Sequence, residues 1–254
     1  MERTTPILIT GAAGFVGRNL VDTLTRLGYT DLMCFDRSDS PEALTVFCRR
    51  AGFVVHLAGV NRPQDPSEFY TGNAGLTDTL LAQLEAAGSH APVLVTSSVQ
   101  AELDNDYGKS KRAAEQAVYA HGDKLGSPVY VFRMEGVFGK WCRPNYNSVV
   151  ATFCHNIARG LPIQVRDPAF SLPLVYIDDV VQCILDAFDG AVLCDRSRHP
   201  ICHIHPVHEI TLGRLAETLQ SFAAGAPAPS DPDSLEAKLW HTYRSYLPAT
   251  SASV

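Results

Sequence analysis

The chain has 254 residues, 46% of them hydrophobic and 19% charged, with a formal net charge of −6 and a mean hydropathy of −0.01. This is the composition of an ordinary globular protein, not of a disordered, fibrous or membrane-embedded one, and the negative balance argues against bulk attraction to nucleic acid. No apolar run reaches bilayer-spanning length, and Met1-Glu2-Arg3-Thr4-Thr5-Pro6 lacks the apolar stretch of a secretory signal. The seven cysteines, odd in number and scattered through apolar segments, are expected to be free thiols of a reducing cytoplasm.

In chain order, the apolar residues 6–9, a glycine-rich turn and an amphipathic stretch over 15–27 predict strand, turn and helix. A second strand over 32–35 ends at Asp36 and Arg37. Ser40-Pro41-Glu42 then supplies an N-cap, a first-turn proline and an acidic first turn for a helix reaching about Arg50. A strand over 53–56 follows. Only 19 residues separate Asp36 from His56, room for one helix but not for helix, strand and helix, so the sheet is expected to be contracted there. A helical region over about 67–87 leads to the strand 93–95, which ends in Thr96-Ser97-Ser98. A helix over 107–120 and a buried strand over 129–132 complete a pattern that predicts an α/β fold with a doubly wound parallel sheet.

Beyond Gly139 the texture changes. A polar loop, a helix over about 148–159, short strands at 163–165 and 172–175, a helix over 178–188, a strand at 201–204 and a helix over 211–222 predict a small substrate-binding cap. The expected division is a dinucleotide-binding domain over 1–139, to which 171–190 returns, a cap built from 140–170 and 191–248, and a frayed tail over 249–254.

Chemistry concentrates at three places. Gly11-Ala12-Ala13-Gly14-Phe15-Val16-Gly17 lies between the first strand and the first helix, where backbone N–H groups and the helix N-terminus can receive a pyrophosphate. Asp36 and Arg37 point in opposite directions, a carboxylate favouring the free ribose diol of NAD and a guanidinium the 2′-phosphate of NADP, so the cofactor choice stays open. Tyr107 and Lys111 stand four apart on one helix face, where the ammonium is expected to make the phenol a usable acid near neutrality. Ser98, at the end of the preceding strand, can hydrogen-bond a carbonyl oxygen. The three form a Ser-Tyr-Lys triad.

Taken together, the glycine turn, His56-Leu57-Ala58-Gly59, Asn73, Ser98, Tyr107-x-x-x-Lys111 and Tyr176-Ile177-Asp178-Asp179 resemble the extended short-chain dehydrogenase/reductase family. Within it, Val60-Asn61-Arg62-Pro63 and the stretch Phe138 to Ser148 resemble the CapF-type capsular polysaccharide reductases. The resemblance implies a fold of the Rossmann type. It also implies cofactor contacts at Gly11, Gly14, Phe15, Val16, Gly17, Leu57, Ala58, Gly59 and Asn73, with Lys111 also reaching the nicotinamide ribose. It further implies NADPH-dependent reduction, with NADH as the alternative, of the 4-keto group of a UDP-linked 2-acetamido-6-deoxy-hexulose for surface polysaccharide.

Independently of the family, the loop offers Lys140 and Arg143 to a diphosphate, and Asn145, Tyr146 and Asn147 to sugar or uracil. The alternative is that Trp141 and Tyr146 only anchor the cap. Two departures from the family stand out. Glu135-Gly136 replaces a Pro-Asn pair, and a carboxylate there would repel a diphosphate unless paired or protonated. The chain also ends before the metal-binding cupin domain of CapF relatives, so it is expected to lack their epimerisation step.

Cys202-His203-x-His205-x-x-His208 contains metal-ligand types, but successive strand residues face opposite ways and no metal is expected. Asp178 and Asp179 are read as helix-start partners. The rival readings are a nucleotide-sugar epimerase or dehydratase with bound NAD, and a non-catalytic NADP-binding sensor. A homodimer is expected, with a UDP-linked keto-sugar as its substrate and neither nucleic acid nor membrane as partner.

Overall fold

The computed structural model describes residues 1–248, and the expected tail lies outside them. The chain divides into two compact units, Met1–Met134 with Val180–His205, and Glu135–Asp179 with Pro206–Val254.

In the first unit the apolar runs form β1 (Ile7–Thr10), β2 (Leu32–Phe35), β3 (Phe53–His56), β4 (Val93–Ser98) and β5 (Val129–Met134). With β8 (Ile201–Cys202) they make a parallel sheet in the order β2-β1-β3-β4-β5-β8. β1 and β3 are buried along their whole length, as strands covered on both faces must be. The sheet is contracted as expected, since the segment between Asp36 and His56 holds only α2 (Pro41–Arg50), capped by Ser40, whose side chain accepts from the Ala43 N–H.

Apolar residues of α4 (Leu76–Ala86) and α5 (Asp106–Leu125), chiefly Leu80, Leu84 and Val118, pack with Leu8, Val54, Val93 and Val131 of the strands. α5 is longer than expected at both ends. Asn105 accepts from the Gly108 N–H at its start, and Gly126, with φ of 66°, ends it. The helix expected over 67–87 is interrupted: α3 (Ser67–Phe69) runs into a π-turn (Tyr70–Gly75) before α4 begins.

The second unit holds a three-stranded sheet in the order β6 (Gly136–Phe138), β7 (Ser171–Tyr176), β9 (His208–Thr211). It packs with α6 (Val149–Ile157), α8 (Leu212–Ala223) and α9 (Leu235–Tyr246) around Phe138, Phe153, Leu174, Leu215 and Leu239. α7 (Ile177–Phe188) begins in this unit and continues in the first.

Several expectations change here. The strand within 171–190 pairs with β6 and β9 instead of returning to the large sheet, and the strand at 201 pairs with β5 instead of joining the cap. A strand of two to six residues carries no mark of the sheet edge it joins. Residues 163–165 form no strand; Ile163 and Val165 pack on the second core, while Pro162, which has no N–H for a ladder, has its carbonyl held by Asn156 Nδ2 at 3.1 Å. β6, β9 and α9 were not legible. The buried face of α9 includes Lys238 and Thr242, which blurs its apolar period.

Cys194 and Cys202 face each other across an antiparallel bridge and form a disulfide, so the expectation of free thiols holds only for Cys34, Cys48, Cys142, Cys154 and Cys183. Pairing of this kind depends on the 191–205 segment folding back on itself, which cysteine spacing does not reveal. Among the described residues, no helix is long and apolar enough to cross a membrane.

Candidate active site

The glycine turn is built by close approach. Gly11 has φ of 73°, and a Cβ there would stand 2.7 Å from the Ala58 nitrogen. A Cβ on Gly17 would stand 2.3 Å from the Gly11 carbonyl oxygen, so α1 (Phe15–Arg26) can begin against the turn only with glycine at that position. Gly14 caps α1 without a side-chain hydrogen bond, leaving the first-turn N–H groups of Phe15, Val16 and Gly17 directed outward from a twelve-residue helix. The cradle fits a pyrophosphate, and its bare cap is the observation that supports the fit.

Asp36 binds the turn itself, both carboxylate oxygens accepting from the Ala13 N–H at 2.9 and 3.1 Å. Burial and the nearby Asp39 push its pKa up, while the hydrogen bond from Ala13 opposes them. Arg37 beside it is exposed.

His56 ends β3 with both ring nitrogens engaged, Nδ1 with Thr10 Oγ1 at 2.6 Å and Nε2 with Thr77 Oγ1 at 2.9 Å. Burial, with Lys111 nearby, lowers its pKa to about 3, so it is a neutral brace. Leu57 donates its N–H to the Thr10 carbonyl at 3.0 Å, which carries the chain on to Ala58 and Gly59. Asn73 sits in the π-turn, buried. Its Oδ1 accepts from the Val60 N–H at 2.8 Å, and its Nδ2 donates to the Val60 carbonyl and to Ser110 Oγ. The amide expected to touch cofactor also engages protein groups, and it ties the 57–60 loop to α5. A Cβ on Gly59 would stand 2.8 Å from Asn73 Oδ1 and 3.2 Å from Lys111 Nζ, so glycine is needed for the three to meet.

Ser98, Tyr107 and Lys111 come together at the end of β4 and the start of α5. The Ser98 and Tyr107 hydroxyls are hydrogen-bonded, and Ser98 Oγ also accepts from the Gln100 N–H at 3.2 Å, capping a short 3-10 turn (Val99–Glu102). A Cβ on Gly108 would lie 2.3 Å from the Gln100 carbonyl, so this glycine lets α5 start against that turn. The Tyr107 ring is set against Phe69, 5.5 Å between centroids. Lys111 is 8% exposed and donates from Nζ to the Thr96 carbonyl at 3.2 Å.

The electrostatics differ from the simple expectation. Burial pushes the Tyr107 phenol up, with the Ser98 hydrogen bond pulling it down. Burial also lowers Lys111 to about 8, against which the Glu115 carboxylate acts. The ammonium is thus itself costly to bury. The residues that sequence reasoning missed lie behind it. Glu115 accepts from Ser97 Oγ at 2.5 Å and from Arg133 Nε and Nη2 at 2.9 and 2.7 Å, while Arg133 Nη1 reaches Glu102 at 3.0 Å. The i, i+4 spacing of Lys111 and Glu115 was the available signal.

The substrate-loop residues belong to the second unit. Gly139, with φ of 148°, lies where a Cβ would meet Ile177 Cγ2 at 2.1 Å. Beyond it Trp141 and Asn145 take positive φ of 69° and 54°, a costly conformation for tryptophan. Tyr246 donates its hydroxyl to the Cys142 carbonyl, and the Asn145 N–H donates to Thr152 Oγ1 at 3.0 Å. Lys140 Nζ sits 4.6 Å from the Trp141 ring and the Arg143 guanidinium 5.0 Å from the Tyr146 ring. Trp141 is exposed, and Arg143, Asn145 and Asn147 are exposed with it. Burial raises the pKa of Glu135, easing the protonation that an adjacent diphosphate would require. Among the described residues no group of three or more His, Cys, Asp or Glu is arranged to hold a metal ion.

A glycine cradle at the first strand-to-helix turn and a Ser-Tyr-Lys cluster at the carboxyl edge of a parallel sheet define a doubly wound α/β protein of the dinucleotide-binding class. A profile of the NAD dependent epimerase/dehydratase family matches residues 7–192. The chain belongs to that family.

It is 45% identical over 250 residues to the UDP-2-acetamido-2,6-beta-L-arabino-hexul-4-ose reductase of Pseudomonas aeruginosa, covering 97% of this chain and 66% of that protein. The chain therefore spans just under two thirds of that relative's length. The crystal structure of the capsular polysaccharide assembling protein CapF from Staphylococcus aureus is 39% identical, with a TM-score of 0.87, over 98% of this chain and 68% of that one. The UDP-glucose 4-epimerase of Thermotoga maritima, solved with UDP-glucose, shares the fold at 20% identity, with a TM-score of 0.79 over 95% of this chain and 98% of that one.

Proposed function

We propose that this chain is an NADPH-dependent reductase of the 4-keto group of a UDP-linked 2-acetamido-6-deoxy-hexulose, with NADH as the alternative cofactor. The observation that carries this reading is the 45% identity, over 97% of the chain, to a protein named for that reduction. The clustering of Ser98, Tyr107 and Lys111 supports it chemically.

When bound, the nicotinamide supplies the hydride that reaches the ketone carbon. Tyr107 then delivers its hydroxyl proton to the ketone oxygen, so that ketone, hydride and proton give the alcohol. Ser98 Oγ already accepts the Gln100 N–H, which leaves its own proton to donate to the same oxygen. Lys111 holds positive charge beside the phenol as the proton leaves. The first-turn N–H groups of α1 with Gly11, Gly14 and Gly17 would hold the pyrophosphate, and Arg37 would pair with the 2′-phosphate.

Lys140 and Arg143 are assigned to the substrate diphosphate, and Asn145, Tyr146 and Asn147 to the sugar or uracil. The left-handed backbone at Trp141 supports a functional loop, because a loop serving packing alone has no need of such strain. A cytoplasmic place in the supply of sugar nucleotide for surface polysaccharide, and a homodimeric assembly, belong to the same reading.

The test is absorbance at 340 nm with NADPH and a panel of UDP- and dTDP-linked 4-keto-6-deoxy sugars. Oxidation of NADPH matched by formation of the 4-hydroxy sugar is expected with the UDP-linked 2-acetamido substrate. Sugar isomerisation without net NADPH oxidation would replace the reductase by an epimerase, and tight NADPH binding without turnover on any substrate would replace it by a sensor.

A further inference from the structure

We propose that Glu115 is a positioning residue: its buried carboxylate, one helical turn beyond Lys111 and locked by Arg133 and Ser97, supplies the counter-charge for the Lys111 ammonium. The inference rests on the proposed reaction centre for its meaning, but its physical content concerns Lys111 alone.

Lys111 lies among groups that do little for a positive charge. From β3 comes His56, neutral and fully engaged; from β4 the Thr96 carbonyl; from the 57–60 loop Gly59; from the π-turn the Asn73 amide. On α5 itself stand Tyr107, Ser110 and Glu115. The first two are uncharged, which leaves Glu115 as the anion on the same helix face. A buried ammonium without a nearby anion loses its proton instead of remaining charged.

Glu115 is 2% exposed and could itself be unaffordable as a lone charge. Arg133 solves this. It stands on β5 directly opposite Ser97 of β4, and from there grips Glu115 through two nitrogens while its third reaches Glu102, whose side chain is 75% exposed. Two carboxylates share one guanidinium, so the group carries a net negative charge, and its buried member lies on the Lys111 side. Ser97 Oγ donates to the same oxygen that Arg133 Nε holds, fixing the carboxylate within the helix face.

Charge and shape can be separated at Glu115. Glu115→Gln keeps the shape of the side chain and removes its charge, so the Lys111 midpoint should fall by roughly one to two pH units, the size expected of an opposite charge one helical turn away at an effective dielectric near 20. Glu115→Asp retains a carboxylate and should recover at least half of the loss. A merely structural role would move the midpoint equally in Glu115→Gln and Glu115→Asp, or in neither.

The readout is the titration of the Lys111 Cε resonance in protein labelled with ¹³C-lysine, assigned by its disappearance in Lys111→Met. Lys109, Lys124, Lys140 and Lys238 serve as internal references. Each variant's fold is checked by circular dichroism, and any one that folds gives a signed result. A fall in Glu115→Gln, recovery of at least half of it in Glu115→Asp, and an alkaline limb of turnover that moves with the midpoint are expected. An unchanged midpoint in folded Glu115→Gln, or an equal fall in folded Glu115→Asp, overturns the proposal. If Lys111→Met instead kept full turnover, the reaction-centre reading would fail while the titration still decided the counter-charge.

Discussion

Lys111→Met should inactivate the protein and stabilise it at neutral pH. Burial lowers the Lys111 ammonium from its ordinary 10.5 to about 8. The difference corresponds to about 3 kcal/mol at about 1.4 kcal/mol per pH unit. Because the folded value lies below the unfolded one, the unfolded chain binds the proton more strongly between pH 8 and 10.5. The wild type therefore gains stability as pH rises through that window and carries the whole penalty below pH 8. Methionine never carries it. It does leave the Thr96 carbonyl without the Nζ donor, which costs about 1 kcal/mol. The net gain at pH 7 is then about 2 kcal/mol, shrinking and reversing by pH 10.5. Urea unfolding of both proteins, followed by far-ultraviolet circular dichroism from pH 6.5 to 10.5, measures this directly. Taking the difference cancels the cysteines and tyrosines that titrate in the same range. A variant less stable than wild type at pH 7, or a difference that stays constant between pH 8 and 10.5, would refute the reasoning.

Tyr107→Phe removes a proton and little contact area, so turnover should fall by roughly 10²- to 10⁴-fold while NADPH affinity, measured by fluorescence titration, stays nearly unchanged. Arg37→Ala should weaken NADPH by on the order of 10-fold or more and leave NADH unaffected, and equal losses for both would make Arg37 a bystander. Lys140→Ala and Arg143→Ala should each raise KM for the UDP-sugar by roughly 10- to 100-fold without altering NADPH binding, and unchanged KM in both would make the loop structural.

Local features were legible in the sequence because each depends on residues a few positions apart. The glycine turn, the Ser40-Pro41 helix start, the spacing of Tyr107 and Lys111, and the contraction between Asp36 and His56 needed no knowledge of distant contacts. Periodicity and chain length set them. Pairing across long separations was decided only by the tertiary structure. Neither the allotment of β7 to the small sheet and β8 to the large one, nor the joining of Cys194 to Cys202, was marked in the local pattern. The protein partners of Asn73 were equally hidden, since only folding brings Val60 and Ser110 to its amide. Glu115 is a buried anion because the β4–β5 register sets Arg133 opposite Ser97, 36 positions away, where both can hold its carboxylate. A charge can be buried only where its partners converge, and convergence is a property of the folded chain.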